Sequence, residues 1–375
     1  MPPNTIRHVA CAVSGGVDSA VSAYLLKRRG FAVSGVYMVN WDHVEEGVTD
    51  CPRERDLTDA RLICDHIGIP LTVVNFVKEY WQSVFQYLLE NYRDGRTVCP
   101  DVSCNRLIKF GKLHEFALKE LRADAIATGH FARTSQGDFL EHADRLKDKP
   151  VKLLAARDCI KDQTYFLSTV RQADLRRAMF PIGSLLKPQV RQIARDIGLD
   201  FVAQKRESMG ICFIGKRKKF NLFVDQYIEK NAGEIRDIET DEILGMHEGV
   251  QHYTLGKRIT ADSRHQSPSG LFVAAIDPSS RSIYTCRGPY HTSLYAQEFT
   301  VMTPSWIEGC WPTDLAKGEP VQWRYRCQRT HPLLYCTVVR NGDHRLVVRS
   351  AHPIRAPAIG QKKVLIKVKM VNIKR

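Results

Sequence analysis

The sequence predicts an α/β protein: an N-terminal domain with a parallel, Rossmann-like sheet, a small central domain and a C-terminal antiparallel β-barrel. In the first half of the chain, strand-like and helix-like runs alternate, which is typical of a parallel sheet. From about Glu234 the pattern changes to short strands with frequent turns, as in small barrels. The length of 375 residues exceeds that of most single domains. We therefore expect domains at residues 1–210, 211–290 and 291–375.

The first strand and helix enclose a glycine-rich turn. Residues 8–13 are apolar and predict a buried strand, and residues 17–27 predict an amphipathic helix. The junction reads Ser14-Gly15-Gly16-Val17-Asp18-Ser19. Two glycines permit a sharp turn, and the amides of a helix N-terminus bind anions such as phosphate. No Lys follows the glycines, so this is not a Walker A loop. The SGGxDS pattern resembles the PP-loop of ATP pyrophosphatases; the alternative is an ordinary glycine-rich turn.

The elements that follow continue the α/β alternation. Because ligands of such sheets bind beyond the carboxyl ends of the strands, we expect the Ser14 loop, residues 38–42 and Gly129-His130 to surround one crevice. A loop is expected over residues 95–105, and an exposed polar loop over 133–150. Strands are predicted at 32–38, 71–76 and 123–127. Helices are predicted at 57–67, 79–92, 108–121 and 174–197, the last of them interrupted at 181–183 and at Pro188. C-terminal strands are predicted at 321–326, 334–339, 345–348 and 363–368.

The charge of the chain favours an anionic partner. The formal net charge is +14, and residues 301–375 hold 14 Lys or Arg against 4 Asp or Glu. A second basic cluster occupies residues 216–219. Such concentrated charge favours nucleic acid through phosphate neutralisation, although a basic surface can also serve solubility alone. No apolar stretch is long enough to span a membrane.

The eleven cysteines indicate a reducing compartment, because their number is odd and their spacing suggests no disulfide framework. No C-x-x-C pattern occurs, and no residue set predicts a metal held by the protein. Cys104 precedes a predicted helix, and Cys212 is flanked by glycines and by Lys and Arg. Both settings favour a thiolate. Taken alone, each cysteine is more often a small buried residue than a nucleophile.

The whole chain resembles the tRNA-specific 2-thiouridylases, which are PP-loop enzymes. Its motifs keep the order of that family from residue 8 to about 260, and a weaker match continues through Arg324-Tyr325-Arg326 and Gly360-Gln361. In chain order the motifs are Ala12-Val13-Ser14-Gly15-Gly16-Val17-Asp18-Ser19, Asn40-Trp41-Asp42, Gly95-Arg96-Thr97, Pro100-Asp101, Cys104-Asn105, Ile108-Lys109-Phe110, Ala127-Thr128-Gly129-His130, Lys161-Asp162-Gln163, Gly210-Ile211-Cys212-Phe213-Ile214-Gly215 and Tyr253-Thr254-Leu255-Gly256.

The resemblance implies a role for each matching residue. ATP, with Mg²⁺ on its phosphates, is expected at Ala12, Val13, Ser14, Gly15, Gly16, Val17, Asp18, Ser19, Met38 and Gly129. Asp101 is implied as an acid–base residue, Cys104 as a nucleophile and Cys212 as the carrier of a persulfide. The tRNA or its target base is expected at Cys99, Pro100, His130, Lys161, Asp162, Gln163, Arg324, Tyr325 and Gln361.

The implied reaction is ATP-dependent 2-thiolation of the wobble uridine, U34, in the anticodon stem-loop of tRNA. The C2 oxygen is adenylated, sulfur from the persulfide replaces it, and a disulfide between Cys104 and Cys212 is the by-product. A sulfur-relay protein or a cysteine desulfurase is implied as the persulfide donor. The expected protein is a monomer. Residues 78–81 and 207–210 resemble the mitochondrial branch, whose tRNA substrates are those for Lys, Glu and Gln; a bacterial protein would be cytoplasmic.

One departure from the family pattern leaves alternatives open. The family usually has Pro-Asn where this chain has Val98-Cys99, which removes an amide beside the target base and adds a third thiol. A tRNA-binding paralogue without catalysis is therefore one alternative. Another PP-loop ligase or amidotransferase, acting on a small molecule, is the second.

Overall fold

The computed structural model describes residues 6–41, 52–206, 220–260 and 268–366. The chain divides into two units. One contains residues 1–84, 100–215 and 305–310, and the other contains residues 85–99, 216–304 and 311–375. Cys212 and the basic cluster at 216–219 lie outside the described residues. The division into domains at 1–210, 211–290 and 291–375 stays a prediction.

The N-terminal half alternates strands and helices as predicted. Its elements are β1 (His8–Ala12), α1 (Val17–Arg28), β2 (Ala32–Val39), α2 (Pro52–Ile67), β3 (Leu71–Asn75), α3 (Val77–Tyr80), a π-helical turn (Trp81–Phe85), α4 (Gln86–Arg93), α5 (Pro100–Ser103), a π-helix (Cys104–Lys112), α6 (Leu113–Lys119), β4 (Ala125–Ala127), β5 (Arg133–Thr134), β6 (Leu153–Leu154), α7 (Thr164–Leu167), α8 (Gln172–Leu175), β7 (Ala178–Met179), α9 (Lys187–Asp196) and α10 (Asp200–Ala203).

Five of these strands form the predicted parallel sheet, in the order β3-β2-β1-β4-β7. In the central strand, Cys11 pairs with Gly35 of β2 and with Ala127 of β4. β1 and β4 are almost wholly buried, as expected of parallel strands covered on both faces. The chain places β2 and β3 on one side of β1 and then crosses to β4 on the other. Such a reversal leaves a crevice at the carboxyl ends of β1 and β4.

The structure corrects three predictions in this half. Residues 100–105 were predicted as loop but are helical, in α5 and the π-helix that follows. The segment 133–150 is not wholly exposed, because Phe139 and Leu140 are buried. The predicted helix over 174–197 contains the strand β7, which completes the sheet against β4. A two-residue strand is too short to produce a periodic pattern, so the sequence could not indicate it.

The C-terminal half consists mainly of short strands, which confirms that prediction. Its elements are α11 (Phe220–Val224), β8 (Gly233–Asp237), β9 (Ile243–His247), β10 (Arg258–Ile259), β11 (Leu271–Asp277), β12 (Ser282–Arg287), β13 (Tyr295–Met302), α12 (Thr313–Ala316), β14 (Val321–Arg326), β15 (Leu334–Arg340), β16 (Arg345–Arg355) and β17 (Val364–Ile366).

Two five-stranded sheets account for these strands. The first has the order β10-β11-β12-β8-β9, in which only the pair β12 and β8 is parallel among the described strands. The second is antiparallel, with the order β13-β16-β15-β14-β17. Along β14, Trp323 and Tyr325 are buried whereas Gln322 is exposed, which is the alternation of a sheet with one buried face. Among the helices of the described ranges, none has the length and apolar character needed to cross a membrane.

Asp124 ties the start of β1 to the start of β4, and its removal should lower stability. One carboxylate oxygen accepts the N–H groups of Arg7 (2.8 Å) and His8 (2.9 Å). Hydrogen bonds to a charged group contribute about 1.5–3 kcal/mol. We predict that Asp124→Ala lowers the free energy of unfolding by about 2 kcal/mol at pH 7, measured by urea unfolding. Asp148→Ala, at an exposed position, should change it by less than about 0.5 kcal/mol.

The effect of Asp124 should depend on pH with a defined sign. The hydrogen bonds from His8 and Arg7 lower the pKa of Asp124 below its usual value. The folded state therefore binds the proton less readily than the unfolded state, whose pKa is about 3.9. The stabilisation is complete well above pH 4 and is lost as the pH falls through the lower, folded pKa. A difference between wild type and Asp124→Ala that stays constant down to pH 3 would contradict this account.

Candidate active site

The glycine-rich turn between β1 and α1 has the geometry of a phosphate loop. Gly15 has φ +74°, and a Cβ there would lie 2.4 Å from the backbone oxygen of Asp56, so a side chain cannot be accommodated. The Ser14 amide donates to Ser19 Oγ (3.1 Å), and Ser19 Oγ donates to the Gly16 carbonyl (2.9 Å). These bonds hold the turn closed at the N-terminus of a twelve-residue helix. Amides there favour an anion.

The end of β4 approaches this loop without a gap. A Cβ on Gly129 would lie 2.7 Å from the Asp18 carbonyl carbon and 2.7 Å from the Ser19 nitrogen. Only glycine therefore allows the backbone after β4 to lie against the first turn of α1. Met38 belongs to β2, the other neighbour of β1. The structure thus brings the Ser14 loop, Met38 and Gly129 to the same edge of the sheet, as the strand pattern predicts.

Two lysines that were not among the predicted site residues hold this loop. Lys187 Nζ donates to both carboxylate oxygens of Asp18, at 2.7 and 2.8 Å. Lys205 Nζ donates to the Gly15 carbonyl (3.2 Å) and to the carboxylates of Asp56 (2.7 Å) and Asp59 (2.6 Å). Burial alone lowers the pKa of Lys205, but the hydrogen bonds to the two carboxylates outweigh it and leave that pKa raised. No local pattern marks either lysine; only the fold shows where their side chains lie.

Asp101 and Cys104 lie three residues apart on one helical segment, so their side chains are neighbours on its surface. Cys104 is buried and begins the π-helix, a geometry that is frequent at functional sites. Burial raises the pKa of Asp101, and the nearby Lys109 ammonium opposes that rise. A carboxyl whose pKa is raised can hold and release a proton closer to neutral pH, which suits an acid–base group.

His130 is buried and uncharged. Its Nδ1 hydrogen bonds to Thr128 Oγ1 (2.7 Å), and its ring contacts Phe110 and Phe180. Burial lowers the pKa of His130 well below its usual value, and the charge of Lys109 adds to the effect. The ring centre of Phe110, in the π-helix that follows α5, lies 6.0 Å from that of His130, so the end of β4 lies close to the helical segment of Asp101.

The three residues of segment 161–163 differ in what they contact: two hold a loop in place, and one lines a cavity. Asp162 is buried; it accepts the Ala156 amide (2.7 Å) on one oxygen and the Thr164 hydroxyl (2.6 Å) on the other. Gln163 Oε1 accepts the Phe131 amide (3.0 Å), next to His130. Lys161 instead lines a cavity. Asp162 and Gln163 therefore shape the loop beside His130, and their contact with tRNA stays a prediction.

The residues of the second unit that are expected to contact tRNA differ in burial. Tyr325 is fully buried and donates its hydroxyl to Ser350 (2.7 Å), so its side chain belongs to the core of the antiparallel sheet. The Arg324 guanidinium lies 4.4 Å from the ring centre of Tyr335, which is 58% exposed. Gln361 accepts Lys363 Nζ (3.0 Å). The aromatic side chain on this surface is therefore Tyr335, which was not among the predicted residues.

The remaining predicted residues are Cys99, Pro100 and Cys212. Cys99 is half-buried, and Pro100 is buried in α5. Cys212 lies outside the described residues. The pairing of Cys104 with Cys212 stays a prediction.

Comparison with known proteins identifies the family. One family model, the tRNA methyl transferase HUP domain, matches residues 7–216. A second, the tRNA methyl transferase PRC-barrel domain, matches residues 221–287. Together these matches take in most of the chain, and they divide it near the change from α/β to β structure.

The relatives that align with nearly the whole chain have names more specific than those of the two family models. The chain is 46% identical over 363 residues to the probable mitochondrial tRNA-specific 2-thiouridylase 1 of Caenorhabditis elegans, covering 96% of this chain and 95% of that protein. It is 40% identical over 376 residues to the mitochondrial tRNA-specific 2-thiouridylase 1 of Homo sapiens, covering 96% and 88%. A solved NMN synthetase from Francisella tularensis is only distantly alike, with a TM-score of 0.34, 15% identity, and 55% and 68% coverage.

His130 should remain neutral throughout the physiological pH range. Its pKa is lowered well below 6.5 in the folded state, so no charge change should occur between pH 8 and pH 5. Two-dimensional NMR of the imidazole nitrogens, assigned by His130→Gln, should show no titration of this ring. Because an unfolded chain takes up a proton near pH 6.5, wild-type stability should fall below that pH by an amount absent from His130→Gln. A titration midpoint near 6.5 in the folded protein would contradict the burial argument.

Proposed function

We propose that this chain, which belongs to the tRNA-specific 2-thiouridylase family, catalyses ATP-dependent 2-thiolation of the wobble uridine, U34, of tRNA. One observation carries the proposal: a single unit holds a phosphate loop at the carboxyl edge of its sheet and, on a neighbouring helical segment, Asp101 and Cys104. An adenylating loop and a thiol are the two components that replacing oxygen with sulfur requires. The relatives from Caenorhabditis elegans and Homo sapiens are named tRNA-specific 2-thiouridylases, and each aligns with 96% of this chain.

The loop fits the phosphates of ATP on observations of this chain alone. Gly15 and Gly129 have no side chain at positions where the backbone must approach a ligand or another backbone closely. The amides at the start of α1 attract anions. We assign Ala12 to Ser19, Met38 and Gly129 to ATP. The nucleotide would convert the C2 oxygen of uridine, a poor leaving group, into part of AMP. Mg²⁺ would neutralise its phosphates, and we assign no protein ligand to the ion.

The sulfur step uses two thiols. The Cys104 thiolate attacks the Cys212 sulfur of a Cys212 persulfide, forming a Cys104–Cys212 disulfide and releasing hydrosulfide. Hydrosulfide then attacks C2, and AMP departs with the former C2 oxygen. In the alternative order, the terminal sulfur of the Cys212 persulfide attacks C2 first and AMP departs. The Cys104 thiolate then attacks the Cys212 sulfur, which breaks the remaining S–S bond, releases 2-thiouridine and forms the same Cys104–Cys212 disulfide. A thiol reductant restores the two cysteines, and a sulfur-relay protein or cysteine desulfurase reloads Cys212. Asp101, whose pKa burial raises, moves the proton at the base.

The RNA would be bound through phosphates and through one everted base. A base must leave its stack before an enzyme can act on its ring atoms, and loop bases are the ones that RNA-binding proteins read most readily. The net charge of +14 supplies the attraction for phosphates. We assign Pro100, His130 and Lys161 to the neighbourhood of the base, and Arg324 and Gln361 to the RNA contacted by the second unit. We further propose mitochondrial tRNAs for Lys, Glu and Gln as substrates.

Replacing either reactive cysteine should abolish thiolation while tRNA still binds. We predict that Cys104→Ser and Cys212→Ser each produce no 2-thiouridine, because a hydroxyl can neither open nor carry a persulfide. Cys159→Ser, at an exposed cysteine, should remain active. The measurement is mass spectrometry of nucleosides after incubation of each variant with unmodified tRNA, ATP, Mg²⁺ and a persulfide donor. Filter binding supplies the tRNA affinity of the same preparations.

The outcomes of this experiment separate the proposal from its alternatives. Normal thiolation by either serine variant would exclude the two-thiol reaction. A wild-type protein that binds tRNA but forms neither AMP nor 2-thiouridine would be the non-catalytic paralogue. AMP formation from ATP and a small molecule, without tRNA, would favour the ligase alternative.

The basic sheet of the second unit should contribute to the salt dependence of tRNA binding. We predict that Arg324→Gln with Arg345→Gln weakens binding and lowers the slope of log K against log salt by about 0.7–0.9 for each phosphate that is no longer neutralised. Lys112→Gln with Lys119→Gln removes the same charge from another surface, where both lysines pair with Glu115. Equal slopes for both double variants would show that net charge alone, and not this sheet, sets the binding.

A further inference from the structure

The phosphate loop carries a carboxylate where a cation would be expected. Asp18 lies in the first turn of α1, and the loop contains no lysine or arginine. A carboxylate stabilises a helix N-terminus, but it repels phosphates that bind at the same place. A cation of the protein placed beside Asp18 would offset this repulsion, in addition to the Mg²⁺ on the phosphates.

Lys187 supplies that charge from the first residue of α9, far along the sequence. Its ammonium donates to both oxygens of Asp18, at 2.7 and 2.8 Å. The Lys187 side chain is only 8% exposed, whereas that of Asp18 is 32% exposed. The lysine is fixed from two further directions, since its backbone amide donates to Asp158 (2.9 Å) and its ammonium lies 5.6 Å from the ring centre of Phe131. The charge is thus held in one place beside the loop.

Lys187 is one of four cationic side chains that line a cavity. The volume of the cavity is about 490 Å³, and its basic lining residues are Lys161, Lys187, Arg191 and Arg195. The acidic lining residue Asp158 accepts backbone N–H groups from Ile160, Lys161 and Lys187, which offset its charge. Burial alone raises the pKa of Asp158, but these hydrogen bonds outweigh it and leave that pKa lowered. The balance of charge in the cavity favours an anion.

We propose that Lys187 is the cation that binds the pyrophosphate end of ATP and the pyrophosphate released from it. This inference rests on the proposed function. When the C2 oxygen of uridine bonds to the α-phosphorus, the bond from that phosphorus to the bridging oxygen breaks, and its electron pair goes to the departing pyrophosphate. Negative charge grows on the side of the loop that Lys187 faces. An ammonium serves there as a point charge, as the loop lysine does in Walker A proteins.

A purely structural ion pair between α1 and α9 is the competing explanation. Breaking a partly buried ion pair destabilises a protein in either case, so stability alone cannot decide. Ligand selectivity can. A cation at the pyrophosphate end affects ligands that contain the β-phosphate and leaves AMP unaffected, whereas a loosened loop weakens all nucleotides by similar factors.

The test measures the affinities of ATP, inorganic pyrophosphate and AMP by isothermal titration calorimetry on the full chain, with Mg²⁺ and without tRNA. We expect Lys187→Met to weaken ATP and pyrophosphate at least tenfold and AMP less than twofold. Lys187→Arg, which keeps the charge, should retain most of the pyrophosphate affinity. Lys205→Met is the matched control. It removes another lysine that contacts the same loop and pairs with carboxylates, and it should weaken the binding of ATP and of AMP by similar factors.

A double variant separates neutralisation of Asp18 from phosphate binding. Asp18→Asn with Lys187→Met removes both charges, and it should recover much of the melting temperature lost in Lys187→Met without recovering pyrophosphate affinity. Restored pyrophosphate affinity would overturn the proposal, because neutralising Asp18 would then be the whole role of the lysine. Equal losses for ATP, pyrophosphate and AMP in Lys187→Met, or none, would also overturn it. A wild-type protein that binds no ATP would instead refute the proposed function.

Discussion

The contact between the backbone at Gly129 and the first turn of α1 is the constraint on which the site depends. A single methyl group on Gly129 would lie 2.7 Å from backbone atoms of Asp18 and Ser19, so neither side could yield without moving the helix. The contact is possible because β4 pairs with β1 and ends at the same edge. It fixes the phosphate loop relative to Thr128 and His130, and hence relative to the helical segment of Asp101 and Cys104. The sheet therefore sets the spacing between the phosphate loop and the two residues that we propose to react, Asp101 and Cys104.

Charge compensation is the second organising element of this unit. The loop and α2 bring together the carboxylates of Asp18, Asp56 and Asp59 where we propose that phosphates bind. Lys187 and Lys205, which come much later in the sequence, form ion pairs with these carboxylates. Each ammonium is held by more than one acceptor, so it keeps its position when a ligand is absent. Such preorganised charge stabilises a developing anion without reorganisation during the reaction. These ion pairs connect Lys187 of α9 and Lys205, just after α10, to the loop and α2 within one unit.

Much of this architecture follows from the sequence, and the parts that do not have identifiable causes. The β1–α1 junction was predictable because two glycines follow an apolar run, and the strands of residues 321–326 and 334–339 were predictable because their apolar residues alternate. Strand β7 was not, because two residues carry no period. Lys187 and Lys205 were missed because their partners lie far away in sequence. The family motif favoured Tyr325 as a contact with tRNA, but the alternation of β14 places its side chain in the core. Tyr335, which lies opposite Arg324 in the register of β14 and β15, is the exposed tyrosine.

The central claim is that this chain activates the C2 oxygen of uridine by adenylation, and the fate of that oxygen tests it most directly. Unmodified tRNA carrying ¹⁸O at C2 of U34 would be incubated with the protein, ATP, Mg²⁺ and a persulfide donor. We predict 2-thiouridine and an equal amount of AMP that contains one ¹⁸O atom, because the former C2 oxygen leaves on the α-phosphorus. Thiolation with unlabelled AMP, or with the label in water or pyrophosphate, would contradict it.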